Sequence, residues 1–534
     1  MPDIVTKQFG PMPKYQAASI VLAMTFGIGI LFWHSFERTI MGLKRHVWNL
    51  SLKSQPAPAL PVRAQARSRR GLLTRPPHIG QKSQNRSFHS YRTPALTHRS
   101  LAIVLAGLAL GFATASATAQ TSLNPRAMAQ IPARNPLTAE QESGALLEGM
   151  GVLDRARPEY DAVGVPLSGM TLYPTLASDV TADDNIFRST GATVSDAIWT
   201  ISPRLDLRSN WDNHALQLYG QLDHYDYQNQ GSETRTNWML GGVGRLDIAP
   251  GGFLRNATSY FDTHEARTSP DLSLLAASPT RYRRIHTDGL LSGQFSAFTL
   301  SAAVNYDRFD FDATDLIGGG AIDNSDRDRN VYQLTGKAAY ELAPDQSLFV
   351  QLTYDLRDFD RQLDRNGFDR NSDGYRVDFG ASLMLTPLIR GTAYAGLLQQ
   401  NYAAPLSDVT SMDFNVEIDW FATELLTAHL RASRIIDDTT VSGASSTDIR
   451  RIGASVDYEL LRPLILQPHF DYYEAKFTGI ARNDRVTSAG LEAQYSLNGN
   501  IAAYAGYNYQ HRATSAAGRD YSDNLFTFGL RGQL

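Results

Sequence analysis

From Met170 to the C-terminus, apolar and polar residues alternate with a period of two, which is the period of a β-strand. Residues 411–422 show it most clearly, because Met412, Phe414, Val416, Ile418 and Trp420 fall on one face. The segments at 199–211 and 347–357 repeat the pattern. A soluble sheet would need a second layer to cover so many apolar faces, whereas lipid covers the outside of a barrel. The alternation therefore predicts transmembrane strands.

The connections between these strands alternate in length. Short turns such as Asp212-Asn213 and Pro387-Leu388 are followed by longer polar loops such as 265–283 and 312–328. Bacterial outer-membrane barrels have short periplasmic turns and long external loops. We predict an all-β fold at 169–534, a transmembrane antiparallel up-and-down β-barrel of about 18 strands, with 16 as the alternative count. It would run from Met170–Val180 to Tyr521–Leu534.

The last strand alternates Phe526, Phe528, Leu530, Gly532 and Leu534. This pattern resembles the C-terminal signal that the outer-membrane assembly machinery reads, although the usual terminal Phe is replaced by Leu. We expect that machinery and outer-membrane lipid to be partners of the chain.

Composition excludes several kinds of site. The chain has no Cys, so it has neither disulfides nor thiolate chemistry. Residues 1–119 carry 15 basic and 2 acidic residues, which leaves 35 basic and 52 acidic residues from Gln120 onward. The C-terminal part is therefore acidic, and we expect no nucleic-acid partner.

The first 168 residues do not show the strand pattern. An apolar run at 17–33 and a basic stretch without periodicity lie within residues 1–95, which we interpret as a disordered or mis-annotated extension. The alternative is an inner-membrane anchor with a basic tail. Residues 96–119, with an apolar run and Ala117-Thr118-Ala119, read as a signal peptide. Residues 120–168 would form a short periplasmic segment.

Few motifs carry chemistry. Asp369, Asn371 and Asp373 match the first half of a calcium loop, but Gly380 stands where its last glutamate is expected, which favours a solvated turn over a metal site. Asp183-Asp184-Asn185 could bind a cation or sugar hydroxyls, but more simply satisfies turn backbone groups. The 12 His residues do not cluster, and no catalytic motif is present. We therefore expect neither an enzyme nor a cofactor.

The inward face is the most informative surface, because alternation places charges of both signs on it. We interpret it as a hydrated channel for polar solutes, and the alternative is a lumen filled by structural salt bridges. The predicted lumen-lining residues are Arg204, Asp206, Arg208, Asp223, Lys337, Glu341, Asp355, Arg357, Arg376, Asp378, Glu417, Asp419 and Arg431.

Short motifs over residues 157–534 resemble the putative β-barrel porin 2 family. They are RPEYDAVG at 157–164, LYPTL at 172–176, DNIF at 184–187, SDGY at 372–375, LTP at 385–387, GLLQQNY at 396–402 and DN at 523–524. The resemblance implies an outer-membrane barrel that is often associated with exopolysaccharide loci. It implies no catalytic residues.

Three functions follow as hypotheses. The first is a porin-like pore that serves exopolysaccharide export or polar solute passage, with polysaccharide or export components as partners. The second is a non-conducting barrel whose loops bind polysaccharide or another partner. The third and weakest is a barrel enzyme. Loops 265–283 and 312–328, the latter with Gly318-Gly319-Gly320, are the candidates to fold inward and close the lumen.

Overall fold

The computed structural model describes residues 150–534, in which 18 long β-strands form one sheet. These strands are β1 (Met170–Asp183), β2 (Asp196–Ser209), β3 (Ala215–Tyr227), β4 (Arg235–Ala249), β5 (Gly252–His264), β6 (Arg281–Phe295), β7 (Phe298–Phe311), β8 (Arg329–Ala343), β9 (Gln346–Phe359), β10 (Ser372–Thr386), β11 (Ile389–Tyr402), β12 (Val409–Thr423), β13 (Leu426–Asp438), β14 (Ser446–Leu461), β15 (Leu464–Phe477), β16 (Asn483–Ser496), β17 (Ile501–Thr514) and β18 (Tyr521–Gln533).

Each strand pairs antiparallel with its neighbours in the chain, and β1 pairs with β18 to close the sheet. The closing ladder joins Thr175–Asp183 to Leu525–Gln533. Closure leaves no free sheet edge along the seam, which is what a membrane-spanning sheet requires. The prediction of an 18-stranded up-and-down barrel is confirmed.

The two faces of the strands differ as the alternation predicts. In β9 the apolar residues Leu348, Leu352 and Leu356 are exposed, while Gln351 and Thr353 between them are buried. Side chains on one face of a closed barrel crowd into its interior, and those on the other face point to lipid. An exposed apolar face is thus the lipid-facing wall.

The connections also follow the predicted layout, with two additions. Sequence analysis did not identify the turn Ser296-Ala297 or the loop 228–234, which includes a short 3₁₀ helix at Gly231–Glu233. Ser296 has φ of 57°, a conformation in which residues other than Gly are uncommon. Loop 312–328 holds a two-stranded sheet and a 3₁₀ helix at Ser325–Arg327, and its three consecutive glycines all have positive φ.

The segment before the barrel follows the rim that bears the short turns. Val152 is fully buried, and its N–H donates to Thr427 Oγ1 at 3.0 Å. Glu459 accepts a hydrogen bond from Arg155 at 3.1 Å and lies 3.6 Å from Arg157. Val165–Leu167 then pairs with the start of β1. These contacts fix residues 150–168 to the mouth of the barrel.

The predictions for residues 1–149, including the signal peptide and the apolar run at 17–33, lie outside the described residues. Within 150–534 no helix is long and apolar enough to cross a membrane.

Candidate functional site

The strand register brings the predicted lumen residues into rows on the inner face of the barrel. Lys337, Gln351 and Asp378 are direct cross-strand partners on β8, β9 and β10. The row continues through Gly396 on β11 to Asp413 on β12. This row of four polar residues and one glycine across five strands follows from the period of two, because partners in an antiparallel ladder share a face.

Asp206 is the centre of one charged cluster, on β2 and β3. Its carboxylate accepts hydrogen bonds from Arg208 at 3.1 and 2.9 Å and from Gln217 at 2.9 and 3.0 Å, and Arg204 lies 3.6 Å away. Asp206 is 2% exposed. A carboxylate this buried requires such a set of donors, so the cluster is rigid.

Asp223 is held separately by short-range partners. Ser202 Oγ donates to it at 2.6 Å, and Gln221 donates to both carboxylate oxygens at 3.0 Å.

A second cluster, on β12 to β14, is more open. Asp419 accepts from Arg431 at 2.8 Å and lies 2.7 Å from His429 Nδ1, whose Nε2 lies 3.1 Å from Asp457. Glu417 lies 4.0 Å from Arg431. The Glu417 and Arg431 side chains are 49% and 44% exposed. These two groups of opposite charge are therefore accessible to water and to a solute.

A third cluster links the walls of the barrel directly, near the long loops. Asp438 at the end of β13 accepts from Arg329 on β8 at 2.8 Å and from Arg357 on β9 at 2.5 Å. Arg357 also donates to Asp355 at 2.9 Å and to the Ile436 carbonyl at 2.9 Å. Since β13 is not a sheet neighbour of β8 or β9, these bonds cross the interior and narrow it.

The other predicted lumen residues are more dispersed. Lys337 Nζ lies 3.9 Å from the centre of the Phe349 ring, a cation–π contact. Arg376 lies 3.8 Å from Asp413, and Asp378 is fully buried beside Gln351. Glu341 is exposed near the short-turn rim, where Gln294 donates to it at 3.4 Å.

Loop 265–280, which we name the crossing loop, spans the long-loop end of the barrel. It leaves between β5 and β6, yet Asp271 accepts from Thr439 Oγ1 and Thr440 N, both at 2.8 Å, beyond the end of β13. Arg519, before β18, donates to the Leu272 carbonyl at 2.6 Å and to the Ser269 carbonyl at 3.2 Å. The loop thus contacts walls far from its own origin and subdivides the mouth.

The base of the crossing loop is tied to its neighbouring loops. Arg327 and Glu265 form an ion pair in which both side chains are 2% exposed. Burial lowers the pKa of Arg327, but the attraction of Glu265 outweighs it and the net shift is upward. Arg267 pairs with the buried Glu233 and donates to the Ala276 carbonyl at 2.8 Å. Buried pairs of this kind fix one loop conformation.

The family model for putative β-barrel porin 2 matches residues 157–534. The chain belongs to this porin family. The sequence resemblance is therefore confirmed, and the barrel is an outer-membrane, porin-like barrel.

Comparison with solved structures gives matches of low sequence identity. Pseudomonas aeruginosa OccK2 (OpdF) has a TM-score of 0.39 and 11% identity, with 69% of this chain and 99% of that chain covered. Acinetobacter baumannii OccAB3 has a TM-score of 0.38 and 10% identity, with 69% and 100% covered. P. aeruginosa OpdK has a TM-score of 0.37 and 11% identity, with 68% and 99% covered. A search of curated proteins gave no match.

Several polar residues of this porin-family barrel were not predicted from the sequence. His286 lies between Asp307 and Asp288, with Nδ1 2.8 Å from Asp307 and Nε2 3.0 Å from Asp288. Alternation along β6 and β7 would have placed all three on one face. Asp271 and Arg519 carry no such signal, because their partners are loop groups far away in the chain: threonine hydroxyls and a backbone N–H for Asp271, and backbone carbonyls for Arg519.

The calcium-loop residues are used by the turn that contains them. Asp369 accepts from the Asn371 N–H at 3.0 Å, and Asn371 Oδ1 accepts from the Phe359 N–H at 2.7 Å. Asp373 is exposed on β10 and accepts from Asn401 at 3.4 Å. The three side chains thus serve three different contacts.

A different set of three carboxylates lies close together among the described residues. Asp183, Asp184 and Asp523 bring oxygens within 4.8 Å of one another. Arg188 lies 3.0 Å from both Asp183 and Asp523, and Asp184 accepts from Asn524 at 2.7 and 2.8 Å. The Arg188 guanidinium lies against two of the three carboxylates, and Asp183 also accepts from the Asn185 N–H at 2.9 Å within the turn.

Proposed function

We propose that this porin-family barrel is a passive pore for small polar solutes. The observation that carries the proposal is the open cluster on β12 to β14, where Arg431 and Glu417 present half-exposed charges of opposite sign on the inner face. Buried ion pairs elsewhere are structural, but these two groups can exchange partners with a passing solute. The thirteen predicted inward residues are proposed as the lining of that path.

A lining with charges of both signs favours polar solutes without a net charge over anions or cations. Field strength between fixed opposite charges is larger in a narrow, partly dehydrated space than in bulk water. A zwitterionic or hydroxyl-rich solute can orient in such a field, whereas an apolar one gains nothing from it. This supports passage of small polar molecules as the general function.

The crossing loop argues for small solutes over polymers. Its contacts from Asp271 to Thr439 and from Arg519 to Leu272 divide the mouth that an exported polysaccharide would have to use. Exopolysaccharide export, which the family resemblance implies, would require this loop to move. A barrel that only binds polysaccharide on its loops remains the competing function.

Single-channel recording of the purified protein in a planar bilayer tests the proposal. We expect steady open steps, and a change in cation-to-anion selectivity toward anions in Glu417→Gln and toward cations in Arg431→Gln. Arg361→Gln is the matched control for Arg431→Gln, because Arg361 is 49% exposed and pairs with Asp323 in another external loop. If a folded barrel gives no conductance steps, the pore proposal fails and the polysaccharide-binding function is favoured. If polysaccharide blocks the conductance steps, export is favoured.

A further inference from the structure

The ladder between β12 and β13 is incomplete. These strands pair from Thr423–Leu426, with a register shift between Thr423 and Trp420, up to Asn415–Ser433 and no further toward the long loops. On either side the ladders continue, with β11–β12 paired as far as Gln400–Val409 and β13–β14 as far as Asp438–Ser446. The wall therefore has a notch between residues 409–414 of β12 and 434–438 of β13.

The notch exists because the end of β13 turns toward the interior. Ile436 packs with Leu398 and Val409 in a buried apolar cluster, and Asp438 pairs with Arg329 and Arg357 across the lumen. Backbone groups that leave a ladder at membrane depth need other polar partners. Arg434 supplies one, since its Nη1 donates to the Met412 carbonyl at 3.0 Å across the notch.

Basic side chains stand on the outer wall beside this notch. On β14, Arg450 lies two residues from the lipid-exposed Ile452, and its side chain is 50% exposed. On β16, the Arg485 side chain is 61% exposed. Lys476 lies between them on β15 and is exposed, and it lines a recess of about 490 Å³ with loop residues 478–481. We name Arg450, Lys476 and Arg485 the basic patch.

The carboxylates near the basic patch do not neutralise it. Asp448 is shared by Arg434 at 2.7 Å and Arg450 at 3.2 Å, and Glu474 accepts from both Arg485 at 3.2 Å and Asn483 at 2.7 Å. Lys476 has no carboxylate partner within the described part of the chain. Four cations, which are Arg434, Arg450, Lys476 and Arg485, therefore face two carboxylates, Asp448 and Glu474, so two positive charges remain in excess.

The outer wall from β7 to β10 has the opposite sign at the same end. On β7 to β10, the outward positions near the long loops are Asp310, Asp358 and Asp373, with Arg308 already paired to Asp310 and Asp360. On β6, Arg281 and Arg283 are also exposed, but Arg281 is paired with Asp262 and Arg283 with Asp312. The basic patch differs from that strand because it includes Lys476, which has no carboxylate partner among the described residues.

We propose that the notch and the basic patch bind the phosphate groups of a phosphorylated glycolipid in the outer leaflet. Clustered Lys and Arg at headgroup level attract anionic lipid phosphates, and guanidinium groups hydrogen-bond phosphate oxygens in pairs. The acyl chains would lie along the apolar wall below, and the sugar would fill the recess beside Lys476. This site does not depend on whether the lumen conducts.

The test is lipid binding by the full protein in nanodiscs of uncharged lipid, with native mass spectrometry as the readout. Diphosphoryl lipid A and its dephosphorylated form are titrated into the parent, Lys476→Gln, and the triple variant R450Q/K476Q/R485Q. Each lost charge should weaken binding about fivefold, which makes the triple variant about a hundredfold weaker. The matched control is R281Q/R283Q/R361Q, which removes three exposed and ion-paired arginines elsewhere and should bind like the parent.

Heat-modifiable migration on gels establishes that each variant is folded. Lys476→Gln removes a side chain without a carboxylate partner, so it should fold even where the triple variant does not. The proposal would be overturned if the parent bound phosphorylated and dephosphorylated lipid equally. It would also be overturned if the triple variant or Lys476→Gln bound diphosphoryl lipid A as tightly as the parent. Displacement of the lipid by inorganic pyrophosphate at equal concentration would also overturn it, because the site would then select the free anion.

Discussion

Individual buried charges in this barrel are tolerated because each has a specific partner. Arg327 and Glu265 are 2% exposed and lie 62 residues apart in the chain. Removing one partner of such a pair leaves the other charge buried and unpaired, which costs far more than the pair contributes. Arg361 and Asp323 also form a guanidinium–carboxylate pair, but both side chains are exposed to water. The net contribution of such a pair to the free energy of unfolding is small.

We predict that Arg327→Ala lowers the free energy of opening of the crossing loop by about 3–5 kcal/mol. Arg361→Ala should change it by less than about 1 kcal/mol. Hydrogen exchange of the amides in 265–280, measured in folded protein, gives both values. If the two substitutions changed the free energy of opening equally, burial of the Arg327–Glu265 pair would not stabilise the crossing loop.

At the scale of elements, the period of two determines which residues meet lipid. Val416 and Asn415 are adjacent on β12 but point to opposite faces, with Val416 on the side of the exposed Met412 and Trp420. An arginine on the lipid side must lose its hydration, whereas one on the inner side does not.

We therefore expect Val416→Arg to destabilise the folded barrel by about 2–4 kcal/mol, the cost of arginine near the bilayer midplane. Asn415→Arg should cost less than about 1 kcal/mol, because Asn415 is half-buried on the polar face. Denaturant titration of refolding into lipid vesicles compares the two. A larger loss in Asn415→Arg would reverse our assignment of faces on β12.

A contact between two external loops gives a dependence on pH. Hydrogen bonds from Ser325, then from Arg361, lower the pKa of Asp323 to about 2 from its usual 3.8. Burial raises the pKa of Asp326, but hydrogen bonds from Arg365 outweigh this and the net shift is downward. A depressed carboxyl pKa stabilises the folded state above the unfolded pKa, and that stability is lost as pH falls through the folded one.

Loops 312–328 and 360–371 should accordingly separate as the pH falls from about 4 to about 2. Limited proteolysis with pepsin at successive pH values measures the change, with the strands as an internal protected reference. In D323N/D326N the loops should be cut equally at all pH values in this range. Persistence of the pH step in that double variant would assign it to other groups.

The sequence specified most elements but not where β13 leaves its neighbour. Alternation in Met412–Trp420 predicts both faces of β12, and its hydrophobic pattern is continuous through the notch. The ladder stops at Asn415–Ser433 because Ile436 and Asp438 find partners on β8, β9, β11 and β12. Such partners depend on the closed barrel and cannot be read from a local pattern.

At the scale of the molecule, the barrel and its crossing loop are specified differently. Closure of β1 on β18 follows from an even number of strands with one apolar face each, so it could be predicted. Loop 265–283 was a candidate for inward folding by its length alone. Its path depends on Asp271 meeting Thr439 and Thr440, which are 168 and 169 residues away. The alternation allows lumen-lining residues to be proposed by face, but it does not predict their partners.

The crossing loop should set the size of the open pore. Asp271 accepts three hydrogen bonds, from Thr439 Oγ1, Thr440 N and Thr440 Oγ1, and Arg519 donates two to loop carbonyls. Each contributes about 0.5–1.5 kcal/mol, so the double variant D271A/R519A should free the far end of the loop. The double variant loses one acidic and one basic residue, so the net charge of the protein is unchanged. A change in conductance would therefore not result from a change in net charge.

We predict that D271A/R519A gives larger unitary conductance than the parent in planar bilayers and admits larger neutral polymers, as judged by exclusion of polyethylene glycols of graded size. D323A/R361A removes an acid and a base from an exposed ion pair between two other external loops, and its conductance should equal that of the parent. If both double variants conduct like the parent, the solute path bypasses the crossing loop. The constriction would then have to lie lower, where Arg329 and Arg357 join Asp438 across the lumen.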